Sequence, residues 1–168
     1  QRILAEKLDI LDKVFYIDIQ NSQKLEYPSE FFDKISAIST IEHVEKDGDI
    51  YTVATTHFTW TENGEPDAVQ RKNLTSLLRE LKKIPHVVLC GDFNAPRGRE
   101  IFDKLAKKYK DNIPAEITTT LDPIFHRAPE LQRLVDGLFT SRKYLASDVH
   151  AETGISDHKA IVGTIRIA

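Results

Sequence analysis

No methionine occurs among the 168 residues, and there is one cysteine, Cys90, and one tryptophan, Trp60. A single cysteine excludes any intrachain disulfide. It lies in an apolar run, where a small core residue is the expected role rather than a reactive thiol. No apolar run approaches a membrane span and no signal-peptide pattern opens the chain, which fits a cytoplasmic setting. The net charge of -3 supplies no global basic field toward nucleic acid or anionic membrane, although 23 Lys and Arg leave room for a local basic surface. With 40% hydrophobic and 29% charged residues, a soluble globular domain is expected instead of a disordered chain. The start lacks an initiator methionine, and Gln1-Arg2-Ile3-Leu4 enters an apolar pattern with no cap. Residues 1–168 are therefore read as one domain forming the carboxy-terminal portion of something longer.

Leu4, Leu8 and Leu11 follow helical spacing, whereas Val14 to Ile19 has strand composition. Asn21 to Ser29 is polar, contains Pro28 and reads as a loop. A β-rich run from Ile35 to Val44, an Asp47-Gly48 turn and a return from Ile50 to Phe58 predict a hairpin. Pro66-Asp67 opens a predicted helix whose stripe is Leu74, Leu77, Leu78 and Leu81. Ile101, Phe102, Leu105 and Tyr109 predict a second helix. Lys110 to Gln132 has no period and reads as a loop, while Leu134 to Phe139 and Ala160 to Ile167 are the remaining predicted strands. Strands alternating with helices, plus hairpins, define a mixed α/β chain.

Val87-Val88-Leu89-Cys90-Gly91-Asp92-Phe93-Asn94 stops an apolar run at a carboxylate and a carboxamide. Bounded by Pro85 and Gly91, the run reads as a strand buried on both faces. On an extended backbone Asp92 and Asn94 point the same way, able to hold a water, a divalent metal or a phosphate oxygen. An ordinary Asp/Asn turn is the competing reading. Three further clusters stand out: Thr55-Thr56-His57 at the end of a strand, Asp136 within Leu134 to Phe139, and Ser156-Asp157-His158 before the last strand. Taken singly, His57 reads as a half-exposed strand-end histidine and Asp157-His158 as a turn. Asp136 is different, because an unpaired carboxylate in a buried strand is strongly disfavoured and calls for a partner such as histidine. Ser156, Asp157 and His158 do not make a hydrolase triad, since adjacent residues do not converge.

Taken together, the clusters resemble the endonuclease/exonuclease/phosphatase superfamily, the metal-dependent phosphodiesterases related to DNase I and the abasic-site endonucleases. Gly91-Asp92-Phe93-Asn94, the Asp136 strand, the terminal Ser156-Asp157-His158 and Thr56-His57 occur in the family's order, with coverage from about Ile35 onward. The resemblance implies two facing β-sheets flanked by helices and a phosphodiester hydrolase using Mg²⁺ or Mn²⁺. It implies that Asp92 orients or deprotonates the attacking water and that Asn94 holds this water or a phosphate oxygen. His158 would be an imidazolium facing the phosphate and kept charged by Asp136, with Asp157 near the metal and His57 a second phosphate contact or leaving-group acid. The metal set so implied is Asp157, Asp92 and Asn94; the substrate contacts are His57, Asn94 and Arg71, with nucleic acid the default substrate. Trp60, Phe125 and Arg127 lie in loops suited either to substrate or to solvent.

The family's amino-terminal Asn and its metal-binding Glu after a Gln have no counterpart before Ile35. The resemblance therefore implies a domain incomplete at its N-terminus, with an uncovered apolar sheet face open to pairing with a missing portion or another chain. Two other readings remain: a non-catalytic binding or assembly module that kept the fold, and a phosphatase or lipid phosphodiesterase of the same superfamily.

Overall fold

The computed structural model describes residues 23–25, 40–46 and 48–168. The expectations for Leu4 to Leu11, Val14 to Ile19 and Ile35 to Ser39 lie outside these residues. The first six strands form one sheet and the last two another. In chain order they are β1 (Gln23–Leu25), β2 (Thr40–Lys46), β3 (Asp49–His57), β4 (Val88–Asp92), β5 (Lys110–Asp111), β6 (Asp136–Thr140), β7 (Tyr144–Glu152) and β8 (Ala160–Ile167). Helices α1 (Ala68–Leu81) and α2 (Glu100–Ala106) flank them. The larger sheet runs β1-β2-β3-β4-β6-β5 and the smaller is the antiparallel pair β7-β8.

The polar segment read as a loop contributes a strand after all. Gln23–Leu25 pairs antiparallel with β2, because an edge strand takes its backbone partners from the neighbour and needs no apolar alternation of its own. The hairpin β2-β3 turns at Gly48, whose φ of 84° belongs to the left-handed region that glycine enters without strain. Asp67 sits one position before α1 rather than in its first turn. Its Oδ1 accepts from the Gln70 backbone N–H at 2.7 Å, a cap worth about 1 kcal/mol. Leu74, Leu77 and Leu81 are fully buried, each contributing roughly 2 kcal/mol of apolar transfer.

β4 lies between β3, to which it runs parallel, and β6, to which it runs antiparallel. That central position explains the unbroken apolar run, with Val87, Val88 and Leu89 all buried. Phe139 is the hub beneath it, edge-on to Phe93 at 5.2 Å and tilted against Phe102 of α2 at 5.0 Å. Tyr109 falls after α2, not within it.

β7 carried no clear sequence signal. Its burial is uneven, and the β7-β8 register shifts between Ser147 and His150, where Asp148 takes a φ of 55°. A bulge of this kind breaks the period-two pattern that marks a strand in sequence. Tyr144 ties the second sheet to the first, stacking on Tyr51 at 5.7 Å and accepting at its hydroxyl from the Thr52 backbone N–H at 3.0 Å. Val149, Ile161, Ile165 and Ile167 pack against the core, while Leu145 and Val162 stay exposed. Among the described residues no helix is long and apolar enough to cross a membrane.

Burial pushes the Cys90 thiol up to about 12, and the thiol donates to the Ala54 carbonyl at 3.7 Å. A raised thiol pKa means that the folded state keeps its proton after the unfolded chain has lost it. Stability is thus lost as pH rises above the ordinary value of 9.0. Urea titrations from pH 9 upward should show a decline steeper than that of Cys90→Ala by up to about 1.4 kcal/mol per pH unit. Parallel pH profiles for the two proteins would refute this coupling.

Candidate active site

Four strand ends and loop segments meet at one end of the larger sheet. The β3-β4 register pairs His57 with Asp92, and the β4-β6 register pairs Asp92 with Asp136. This alignment brings residues that are 35 and 44 positions apart into adjacent rows. Gly91 makes the β3-β4 approach possible. Its φ is 135°, and a Cβ built there would lie 2.0 Å from the Thr56 carbonyl oxygen. β8 starts just after His158, and an isolated bridge between Leu121 and His158 closes the remaining side.

Asp92 is 0% exposed, and its Oδ1 accepts from the Asn94 backbone N–H at 2.7 Å. Its Oδ2 lies 3.6 Å from His57 Nε2, a charge contact when that half-exposed ring is protonated. Asn94 does not continue the extended backbone: its φ is 49°. The Asp92 and Asn94 side chains are therefore not parallel neighbours on a strand, because the Asp92 carboxylate caps the Asn94 N–H and turns the chain. The Asn94 carboxamide donates from Nδ2 to the Phe58 carbonyl at 2.8 Å.

Asp136 opens β6 instead of lying within it, and is 3% exposed. Its Oδ2 lies 2.8 Å from His158 Nδ1, and the His158 side chain is 11% exposed. Burial pushes the Asp136 carboxyl up, and the His158 hydrogen bond and charge oppose that push, while the charge of Asp92 adds to it. One ligand atom from each of Asp92, Asp136 and His158 lies within 4.8 Å of the others. Two buried carboxylates this close repel one another unless positive charge or a proton intervenes. The carboxylate oxygens of this set suit a hard cation.

Asp157 is outside that trio. Its backbone carbonyl accepts from Asp122 N–H at 2.9 Å, and its Oδ1 is buried with no hydrogen-bond partner among the described residues. An orphaned carboxylate oxygen is the kind of group a divalent cation satisfies. Arg71 is engaged elsewhere, its guanidinium forking onto Glu100 at 2.8–3.1 Å. That pair holds Glu100 down at about 2. Trp60 and Phe125 are exposed.

Thr120 and Asp122, in the segment read only as a loop, organise the site and were not singled out in sequence. The Thr120 hydroxyl accepts from the Val135 and Asp136 N–H groups at 3.0 and 3.1 Å, and its backbone carbonyl accepts from Lys159 N–H at 2.8 Å. Asp122 is fully buried. Burial works against its charge, but backbone N–H groups of Gly154, Ile124 and Phe125 overcome that and hold its pKa low. The only sequence signal was the run Thr118-Thr119-Thr120-Leu121-Asp122-Pro123, whose hydroxyl and carboxylate side chains are those that bond to backbone. The His126 ring stands 6.3 Å from that of His158.

Two sheets with flanking helices give this chain the DNase I-like fold, which it shares with solved structures described as endonuclease/exonuclease/phosphatase proteins. Among solved structures, the endonuclease domain of TRAS1, a telomere-specific non-LTR retrotransposon, superposes with a TM-score of 0.62 at 15% identity, covering 88% of this chain and 68% of that one. The endonuclease/exonuclease/phosphatase protein from Bacteroides vulgatus gives 0.59 at 17% identity, with 76% and 54% covered. The human Nocturnin catalytic domain with bound sulfate gives 0.59 at 18%, with 76% and 52% covered. The chain thus spans about half the length of several solved structures it matches, 54% in the Bacteroides case. No family model and no curated protein matches the sequence.

Proposed function

We propose that this chain carries part of the active site of a divalent-metal-dependent phosphodiester hydrolase acting on nucleic acid. The observation that carries the reading is the convergence of Asp92, Asp136 and His158 within 4.8 Å, with Asp136 hydrogen-bonded to His158 at 2.8 Å. Phosphodiester hydrolysis needs an oriented nucleophile and positive charge near the phosphoryl oxygens. Asp136 fixes the His158 ring through Nδ1, so Nε2 is the nitrogen that meets a phosphoryl oxygen. Asp92 is held rigid by the Asn94 N–H and orients the attacking water, taking its proton. Asn94 contributes its carboxamide oxygen to that water or to the phosphate, and His57 stands beside Asp92 as a second phosphate contact or leaving-group acid. Asp157, Asp92 and Asn94 are the oxygen donors for Mg²⁺ or Mn²⁺, which when bound neutralises charge on the phosphate.

The test is hydrolysis of bis(4-nitrophenyl) phosphate and of nicked and abasic DNA with Mg²⁺ or Mn²⁺, for the full-length protein. Asp92→Ala should lower turnover by about 10²–10⁴-fold, and EDTA should abolish it. Activity indifferent to both would end this reading. A DNA-inactive protein that still cleaves the small ester in an Asp92-dependent way would keep the chemistry and overturn the nucleic-acid substrate.

A further inference from the structure

Besides the Asp-Asp-His cluster, the same end of the sheet holds an open cleft of about 400 Å³. Its walls are the chain leaving β4, from Pro96 to Arg99, and the chain about to enter β6, from Gln132 to Leu134. Because β4 and β6 are antiparallel with Asp92 opposite Asp136, both walls continue directly from the two carboxylates of the site. They are stitched together by the Arg97 N–H donating to the Leu134 carbonyl at 2.9 Å.

Three arginines, Arg97, Arg99 and Arg133, line this cleft. Arg97 is locked in place: its guanidinium donates to the Ile113 and Pro114 carbonyls and pairs with Asp111 at 2.7 Å, and its buried Nε meets no acceptor among the described residues. Arg99 pairs with Glu65 at 2.8 Å and donates to the Asn63 carbonyl. Arg133 is half-buried, and its guanidinium has no ion pair or hydrogen bond to any described residue. The exposed Thr118 hydroxyl, also lining the cleft, likewise has no hydrogen-bond partner among the described residues. Two of the three cations are balanced by carboxylates and the third is not, so the cleft carries surplus positive charge and surplus N–H donors. Guanidinium presents paired donors that match two phosphate oxygens, and a neighbouring hydroxyl takes a third.

We propose that this cleft is a phosphate-binding subsite, separate from the cluster, and that Arg133 is its principal contact. It deepens the proposed function and rests on it in one respect: the ligand is a phosphate one or more links along the polynucleotide from the bond that is cut. Anion capture by the cleft stands without that reading. Arginine contacts to a backbone phosphate carry affinity and register but no sequence preference.

The experiment measures binding of fluorescein-labelled tetrathymidylate to the protein by anisotropy in EDTA, where metal-dependent cleavage is silent. Arg133→Gln should weaken binding by about tenfold and Arg133→Lys by less, because a charged hydrogen-bonded contact is replaced by a neutral one or a point charge. Arg142→Gln, which removes an exposed cation outside the cleft, should have no effect. Inorganic phosphate competing at millimolar concentration against wild type, but not against Arg133→Gln, would support the cleft as an anion site open to free phosphate. Lack of such competition, with the Arg133 effect intact, would support a polymer-specific subsite. Arg133→Gln binding as wild type, Arg142→Gln losing as much as Arg133→Gln, or oligoglutamate binding as tightly as tetrathymidylate would each overturn the proposal. Loss of bis(4-nitrophenyl) phosphate hydrolysis in Asp92→Ala reports on the cluster alone, so the two readings fail separately.

Discussion

Gly91→Ala loses the folded state at moderate denaturant: its urea midpoint should fall by the equivalent of about 4 kcal/mol, the sum of a forbidden φ and an overpacked strand pair. The cause is local and severe. The new methyl would occupy space 2.0 Å from the Thr56 carbonyl oxygen, and φ at this residue is 135°. The neighbouring backbone cannot retreat, since Thr56 is paired in register with Gly91 and His57 with Asp92. Any relief must push β3 off β4, taking His57 away from Asp92. Gly98→Ala is the control. That glycine is also at positive φ, 82°, but nothing lies within 4 Å of its Cβ position, so only the backbone term of about 1 kcal/mol remains. Equal losses for the two variants would show that the close approach of β3 and β4 is not what fixes Gly91.

Asp136→Asn should lose activity and keep its stability. The carboxamide preserves the shape of the side chain but removes the charge that holds the His158 ring, and turnover should fall by about 10²–10⁴-fold. Stability at neutral pH should stay level or rise by about 1 kcal/mol, because burial and the nearby Asp92 both disfavour the Asp136 carboxylate. His158→Ala separates the two effects. It leaves Asp136 buried without its partner, and about 3 kcal/mol of stability should go with the activity. Urea unfolding and ester hydrolysis on the same preparations decide the matter. Wild-type turnover from Asp136→Asn would remove the Asp136–His158 pair from the chemistry.

Much of this was legible in the sequence, for identifiable reasons. The strand ending at Asp92 announced itself because a central strand is apolar on both faces, and Asp136 because a carboxylate beside Val135 and Leu138 demands a partner. What could not be read was whatever depends on distant backbone. Gln23–Leu25 is polar and becomes a strand only because β2 offers it an edge. Tyr144–Glu152 hides its period behind a bulge at Asp148. Asn94 leaves the extended conformation to be capped by Asp92, which a two-residue spacing cannot foretell. Thr120 serves the site through hydrogen bonds to residues 13 to 39 positions away, and no local pattern encodes those.

The connection from Asn112 to Val135 divides into two kinds of chain. Thr119 to Asp122 is clasped at every step: to Arg133, to Val135 and Asp136, to the His158 bridge, and to Gly154. Between Pro123 and Leu131, by contrast, Ile124 and Phe125 face solvent, and the segment's backbone bonds run mainly to residues nearby. Residues 123–131 are therefore a place beside the site where residues can be inserted, deleted or exchanged without dismantling it. New substrate preferences should accumulate there, while the four residues before it stay fixed in number.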